Sequence, residues 1–352
     1  MELTDLLRTA LKHGASDIHL VPERPPFLRI NGEMLPLKTD TLSSEAIQQM
    51  VFCHLSETLV EQFNQEMDLD TGLTANGIGR FRLNLLHQVD GVGAVLRVIS
   101  PDIPTPEALC IEQVLLDLTL APRGLILLTG PTGCGKTTTL ACLINVINGT
   151  RKRHILTIED PIEYLYPRLS SVVTQREVGT HAPTFGTSIR RAMRQDPDII
   201  LLGEMRDLET AGAALTLAET GHLVFGTMHT ADAAQAVDRM IDLYPSYQQG
   251  QVRLQLSLIL KAVVCQQLLP RADRQGMIAA REILVVNAAV ANIIRQGNAH
   301  EIYSVMETNV QSGMKTLERD LSRLVHEGVV TYEAAIARAN KIDLVRRRSN
   351  RG

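Results

Sequence analysis

Residues Gly124–Leu140, GLILLTGPTGCGKTTTL, decide how this chain is read. The apolar run Leu125–Leu128 has the character of a buried parallel strand, apolar on both faces. It leads into Gly130–Thr137, GPTGCGKT, which satisfies the phosphate-loop pattern in full. Glycines 130, 133 and 135 let the backbone bend so that successive N–H groups point into one cavity. The N-terminus of the following helix adds its positive end, completing an anion site for phosphates. Lys136 is spaced to reach the β- and γ-phosphates of a bound nucleotide, and the Thr137 hydroxyl to take a Mg²⁺ position. Pro131, Thr132, Cys134 and Thr138 complete the expected nucleotide-binding loop. The motif needs a strand before it and an amphipathic helix after it, and Leu125–Leu128 and Thr138–Ile147 supply them.

At 352 residues the chain is long enough for about two domains with full cores. Apolar residues at 45% and charged residues at 21% are those of a soluble globular protein. A net charge of −4 and a pI near 6.2 give no basic signal for nucleic acid. Aromatic content of 3%, with no Trp, argues against base-stacking platforms. The most apolar segment, LSLILKAVVC near 256–265, is too short to span a bilayer and contains Lys261. The N-terminal MELTDLLRTALKHG reads as an amphipathic helix rather than a signal peptide, so a cytoplasmic place is expected. Five cysteines (53, 110, 134, 142 and 265) form no CxxC pair, and no structural zinc site is expected. Cys134 lies inside the phosphate loop. There, positive potential can lower a thiol's pKa, or the position can simply tolerate a small residue.

Taken in order, the first hundred residues read as a small α+β domain with an antiparallel sheet. A helix is followed by a strand at Ala15–Val21 and a hairpin, Phe27–Ile30 with Glu33–Leu37, around Asn31-Gly32. Helices follow at Ser43–Leu55 and Glu57–Gln65, with Ser43 or Ser44 as N-cap, then a strand at Asp68–Leu73. A second hairpin joins Gly79–His87 to Val92–Ile99 around Asp90-Gly91. Arg80 and Arg82 lie two apart on one strand and so share a face. A loop at Gln88–Gly91 sets Arg97 opposite Arg82, and a tight Asp90-Gly91 turn makes them diagonal neighbours. Like charges so placed need an anion. Either a phosphate, such as that of a nucleotide held by a neighbouring subunit, or internal carboxylates would supply it.

Ser100–Pro106, SPDIPTP, has the proline content of a semi-stiff linker. The expected division is a domain over 1–99, a linker over 100–107 and a second domain over 108–352. From Ala108 strands and helices alternate, as in a doubly wound sheet. Strands are expected at Leu125–Thr129, His154–Ile158, Val172–Val178, Asp198–Gly203 and Leu223–Met228. Helices are expected at Lys136–Ile147, Phe185–Gln195, Leu208–Thr220 and Ala233–Leu243. From Ser246 the pattern is mostly helical, with one strand at Met277–Val285.

Open α/β sheets bind ligands beyond the carboxyl ends of their strands. His154–Ile158 is followed there by Glu159, Asp160 and, two further on, Glu163. Asp198–Gly203 ends in Glu204, and Leu223–Met228 in His229. Any one of these is unremarkable, and Asp207 reads as the N-cap of the next helix. Together they suit ATP hydrolysis, which needs carboxylates to position water and Mg²⁺ near the γ-phosphate. Glu204, closing the apolar IILLG, is expected to bind Mg²⁺ through water or to orient the nucleophile. Glu163 is the first choice for general base and Glu204 the alternative. His229 and His222 are candidates to contact the γ-phosphate, although a His at a helix end, as His222 is, also serves structure.

GPTGCGKTTT, ILTIEDPIEY, RAMRQDPDIILLGEMRD and TGHLVFGTMHT resemble the motifs of the type II and type IV secretion ATPases. GASDIHL and GRFRLN fit the same family, and the resemblance runs from Gly14 to about Glu327. It implies a PAS-like α+β N-terminal domain joined to a RecA-like P-loop ATPase core with a helical C-terminal region, assembled as a homo-hexamer that uses ATP and Mg²⁺. On motif positions fall Lys136, Glu163, Glu204, His222 and His229, with Glu159 and Asp160 in the acidic box. Arg82 and Arg97 match arginines that approach the nucleotide across the ring. The early start of the first domain, the lack of a four-cysteine element, and AVANIIRQ followed by GMKTLERDL are similar to the pilus-retraction branch. Gln296 departs from the Glu common there, and Cys134 from the common Ser. The branch implies a motor for type IV pilus retraction, partnered by the pilus machinery and an inner-membrane platform protein. It implies no nucleic acid and a cytoplasmic place, peripheral at the inner membrane through those partners. Alternatives are a pilus-assembly or type II secretion ATPase, or a nucleotide-gated regulatory ring, which the acidic set at 159, 160, 163 and 204 disfavours. VRRRSNRG at the end reads as a basic, solvated tail.

Overall fold

Leu3, Leu6, Leu7 and Ala10 recur at helical spacing and are all buried, giving α1 (Leu3–Lys12) one apolar face against a sheet. The computed structural model describes residues 2–30, 32–99 and 102–349. Asn31 of the expected hairpin turn, Ser100 and Pro101 of the expected linker, and the tail from Asn350 lie outside the described residues. Two compact units are present. The first takes residues 1–103 together with 160–165 and 176–183, and the second takes the rest.

In the first unit α1 is followed by β1 (Asp17–Leu20), β2 (Phe27–Ile30), β3 (Glu33–Pro36), α2 (Ser44–Phe52) and α3 (Glu57–Glu66). Then come β4 (Asp68–Ala75), β5 (Gly79–Gln88) and β6 (Gly91–Ile99). The sheet order is β3-β2-β1-β6-β5-β4, with antiparallel neighbours. Phe81, Leu83 and Leu85 on β5 and Val92, Ala94 and Leu96 on β6 point to one buried face, which places Arg82 and Asn84 on the other. Of the two serines before α2, Ser43 is the cap, accepting from Ala46 N at 3.2 Å. Gln88 pairs with Gly91, so the hairpin loop is Val89-Asp90 and Arg82 sits directly opposite Arg97.

The second unit runs α4 (Gln113–Leu118), β7 (Gly124–Thr129), α5 (Lys136–Thr150), β8 (His154–Glu159), β9 (Val172–Glu177), α6 (Phe185–Ala192), β10 (Ile199–Leu202), α7 (Leu208–Glu219) and β11 (Leu223–Met228). It continues with α8 (Ala233–Asp242), α9 (Ser246–Ile259), β12 (Leu260–Pro270), β13 (Met277–Val285), α10 (Ala288–Gln296), α11 (Ile302–Thr308), α12 (Leu317–His326), α13 (Tyr332–Ile336) and α14 (Ile342–Ser349). Seven strands in the order β13-β12-β7-β11-β10-β8-β9 form one sheet. β7 lies inside it, parallel to both β11 and β12. All six residues of β7 and of β11 are buried, as expected for strands covered on both faces.

Two expectations are corrected here. Only one strand was expected after Ser246, but β12 is a further strand of eleven residues and antiparallel to β13. It begins directly at the end of α9 and is buried on both faces over most of its length. It therefore lacks the alternation that marks a half-exposed strand. The expected solvated tail from Val345 instead begins as the second half of α14, and Val345 is buried in a C-terminal apolar cluster with Leu317, Leu321 and Leu324.

Beside that cluster, the buried Glu282 carboxylate of β13 accepts from Ala233 N at the start of α8 (2.8 Å) and Leu317 N at the start of α12 (3.4 Å). Burial, with Asp232 and Glu318 adding like charge, pushes its pKa up to about 7 despite those donors. The folded state thus keeps the proton to higher pH than the unfolded chain, whose ordinary value is 4.5. This group's contribution to stability is full below about 4.5 and is lost as the pH rises to about 7. Denaturation monitored by circular dichroism should show stability falling over that window by on the order of 3 kcal/mol, at about 1.4 kcal/mol per pKa unit. Glu282→Gln should flatten the fall.

Candidate active site

The phosphate loop leaves β7 at its carboxyl end and enters α5 through Gly130, Gly133 and Gly135, all at positive φ. Pro131, Thr132 and Gly133 are exposed, Thr137 and Thr138 partly exposed, and Cys134 and Lys136 buried. Lys136 Nζ donates to Gly130 O at 2.7 Å and Pro131 O at 3.0 Å, so the ammonium sits within the curl of its own loop. A Cβ added at Gly133 would meet nothing within 4 Å, so this side of the loop is open. An open rim of backbone N–H groups, a helix N-terminus and a buried ammonium fit a polyphosphate.

Adjacent strands bring Glu204 and His229 together. β10 and β11 are parallel neighbours, and just past their carboxyl ends His229 Nε2 lies 3.1 Å from Glu204 Oε1. Arg206 Nη2 donates to Glu204 Oε2 at 2.6 Å. Met205 N, donating to Thr227 O at 3.0 Å, and the Thr227 hydroxyl, donating to Gly203 O, fix the turn that presents the carboxylate. Burial raises the Glu204 carboxyl, but Arg206 and His229 outweigh it and hold the pKa below the ordinary value. Glu204 is therefore an anion at neutral pH. Glu159, the last residue of β8, is buried at the same end of the sheet. Thr137 and the ionised Glu204 are hard oxygen donors that fit Mg²⁺. Among the described residues no group of three His, Cys, Asp or Glu could hold a metal alone. The fitting arrangement is an ion carried largely by nucleotide phosphates.

His222 is elsewhere. It precedes β11, beside Gly124 at the amino end of β7, and its Nδ1 lies 2.9 Å from Leu217 O at the end of α7. Six extended residues at ~3.3 Å each separate it from His229 by about 20 Å. The expected γ-phosphate contact is thus not formed by His222 within this chain, because one strand cannot bring both its ends to one ligand. Of the two readings of Cys134, the structure agrees with the tolerated small residue and not with the activated thiol. Cys134 is 3% exposed and 3.9 Å from Lys136 Nζ, and burial pushes the thiol above its ordinary pKa despite that ammonium.

Asp160, joined to Pro161 by a cis peptide, and Glu163 belong to the first unit. They are held there by a charge pair not singled out from the pattern. Partly buried Arg80 pairs with buried Glu177, Arg80 Nε donates to Ile162 O at 3.0 Å, and Ile162 N donates to Glu177 Oε2 at 3.0 Å. Arg82 Nε donates to Asp70 Oδ1 at 3.0 Å, and that pairing holds the guanidinium pKa up, with Glu163 and Asp160 adding to it. Arg97 Nε donates to Asp17 Oδ1 at 2.9 Å. The like charges opposite each other are thus met by internal carboxylates, one of the two alternatives left open by the pattern. Asp70 and Asp17 carry no local signal of these roles, because they lie 12 and 80 residues from the arginines they meet.

This is a P-loop nucleotide site on a RecA-like sheet, preceded by an α+β unit. A family model described as type II/IV secretion system protein matches residues 2–338. The chain is 40% identical over 339 residues to the type IV pilus retractation ATPase PilT of Pseudomonas aeruginosa, spanning 96% of this chain and 98% of that protein. It is 41% identical over 337 residues to a twitching motility protein of Neisseria gonorrhoeae, spanning 96% and 90%. A crystal structure of the pilus retraction motor PilT with bound ADP is similar at a TM-score of 0.92 and 40% identity, covering 99% of each chain. The chain belongs to the type II/IV secretion system protein family.

Alkylation tests the state of Cys134. At pH 7.5 iodoacetamide should modify Cys134 at least about tenfold more slowly than exposed Cys53, read by peptide mass spectrometry. Equal rates would mean an accessible thiolate.

Proposed function

We propose that this protein is an ATP-hydrolysing motor for type IV pilus retraction, working as a homo-hexamer with Mg²⁺ in the cytoplasm, peripheral at the inner membrane through its pilus-machinery partners. The observation that carries the reading is the pairing of an intact phosphate loop with an ionised Glu204 beside His229, in a chain similar over nearly its whole length to a retraction motor. Among the described residues no helix is long and apolar enough to cross a membrane.

In this reading Gly130–Thr138 cradles the phosphates. Lys136 exchanges the Gly130 and Pro131 carbonyls for β- and γ-phosphate oxygens, a gain because a charged donor prefers a charged acceptor. Thr137 and Glu204 would hold Mg²⁺, which supplies charge neutralisation on the phosphates. Glu204, released from Arg206, orients the attacking water, and His229 keeps that carboxylate aimed. Glu163, with Glu159 and Asp160 nearby in sequence, takes the proton from that water, or Glu204 does. Arg82 and Arg97 serve a neighbouring subunit's nucleotide by leaving Asp70 and Asp17, and an arginine supplied in trans is worth about 10³–10⁵ in rate in other phosphoryl-transfer systems. A platform protein at the inner membrane would receive the work. His222, which closes the end of α7, takes no part in this reading.

Lys136→Ala should abolish hydrolysis by weakening nucleotide binding, whereas Glu204→Ala should bind nucleotide and lose turnover by about 10²-fold or more. Near-parental ATPase rates in purified Glu204→Ala would remove the assignment. Mixing tests the shared site. Arg97→Gln, which retains a hydrogen bond to Asp17, and Lys136→Ala should each be inactive alone and regain ATPase activity in mixed rings. Mixed hexamers as inactive as either parent would leave Arg97 a partner of Asp17 only.

A further inference from the structure

Gln266, on β12 beyond its last pairing with β7, touches the phosphate loop from beneath and is 1% exposed. Its Nε2 donates to Cys134 O at 2.6 Å, while its Oε1 accepts from Thr139 Oγ1 of α5 at 2.9 Å and from Arg281 Nε at 3.0 Å. Arg281 is its direct cross-strand partner on β13. Arginine only donates, so the side of the Gln266 amide facing Arg281 must be the oxygen, and the NH₂ is left for the loop carbonyl. Arg281 itself is fully buried and held by Leu109 O (3.1 Å), Cys110 O (3.0 Å) and Glu112 Oε2 (3.2 Å). Turning the amide over would set its NH₂ against the buried Arg281 Nε–H and its oxygen against the Cys134 carbonyl, leaving both buried groups without a partner.

We infer that Gln266, locked in one orientation by Arg281, is a positioning residue for nucleotide binding, setting the direction of the Gly135 N–H. In a trans peptide the carbonyl of one residue and the N–H of the next point in opposite directions. Holding the Cys134 carbonyl toward Gln266 turns the Gly135 N–H the other way, away from the sheet. The Thr139 contact fixes the first turn of α5 by the same amide. The fit is close: a Cβ at Gly130 would lie 2.3 Å from the backbone oxygen of Gln266, which excludes any side chain there, and one at Gly135, where φ is also positive, would lie 3.0 Å from Gln266 Nε2. The loop pattern explains why the loop is flexible enough to bind phosphate. Gln266 and Arg281 explain why it is already bent to do so.

The inference rests on the phosphate loop being a nucleotide site and not on what the motor moves. Gln266→Glu tests it. One carboxylate oxygen still accepts from Thr139 and Arg281, which favours the ionised form, while the other faces the Cys134 carbonyl with no proton to share. The fold should survive, with the nucleotide-free melting temperature within about 3 °C of the parent, while the Kd for a fluorescent ADP analogue rises at least about tenfold. A purely structural Gln266 would give the reverse, a lower melting temperature with unchanged Kd. Arg281→Met, which frees the amide to turn, should weaken binding in the same direction, and Gln266→Met decides the matter if Gln266→Glu does not fold. A Kd within twofold of the parent in the folded Gln266 variant overturns the inference. A parent protein that binds no ADP analogue overturns the nucleotide reading and the inference together, whereas ADP binding without pilus retraction removes the motor reading alone.

Discussion

Everything at the candidate site depends on β7 being hydrogen-bonded on both sides by parallel strands. β11 and β12 hold it in register from Leu125 to Thr129, so the chain leaves the sheet at a fixed point and in a fixed direction. Parallel pairing also collects the carboxyl ends of β8, β10 and β11 on one edge, where the phosphate loop starts. Glu204 and His229 meet there because their strands are neighbours, though 25 positions separate them in the chain. A strand buried on both faces cannot shift by a residue without moving every side chain to a new environment, so the geometry is stiff.

Charge is handled differently in the two units. In the first, arginines at the open face are neutralised by carboxylates of the same sheet, Arg82 by Asp70 and Arg97 by Asp17. Both guanidinium groups are at least partly exposed and so is Asp70, whereas Asp17 is buried and is also bonded by Ser16. Glu177 is buried and Arg80 partly so, and their pairing fixes residues 160–165 to that unit. Removing Arg80 would leave Glu177 an uncompensated buried charge. In the second unit, Arg281, Glu112, Lys315 and Asp320 form a linked set of buried and half-buried charges behind the phosphate loop. Stiffness behind the loop suits a protein that must bind and release a charged ligand.

The sequence by itself determined the phosphate loop, the doubly wound alternation around it, the antiparallel first sheet and the cap at Asp207, and it narrowed the cap of α2 to Ser43 or Ser44. These follow from local rules: glycine spacing, the period of apolar residues, and side chains that bond their own helix ends. It also pointed to Glu204 and His229, because strand ends are readable. Only the tertiary structure decided what lies far apart in the chain. β12 has no strand signature in the sequence because burial on both faces over most of its length erases alternation, and α9 enters it without a break. Glu163 joined the first unit because a partly buried pair 97 residues apart, Arg80 with Glu177, outweighs its position after β8. His222 was separated from His229 by the length of an extended strand. Gln266, 132 residues from Cys134, carries no motif at all, since a single amide hydrogen bond to a backbone carbonyl imposes no pattern on the sequence around it.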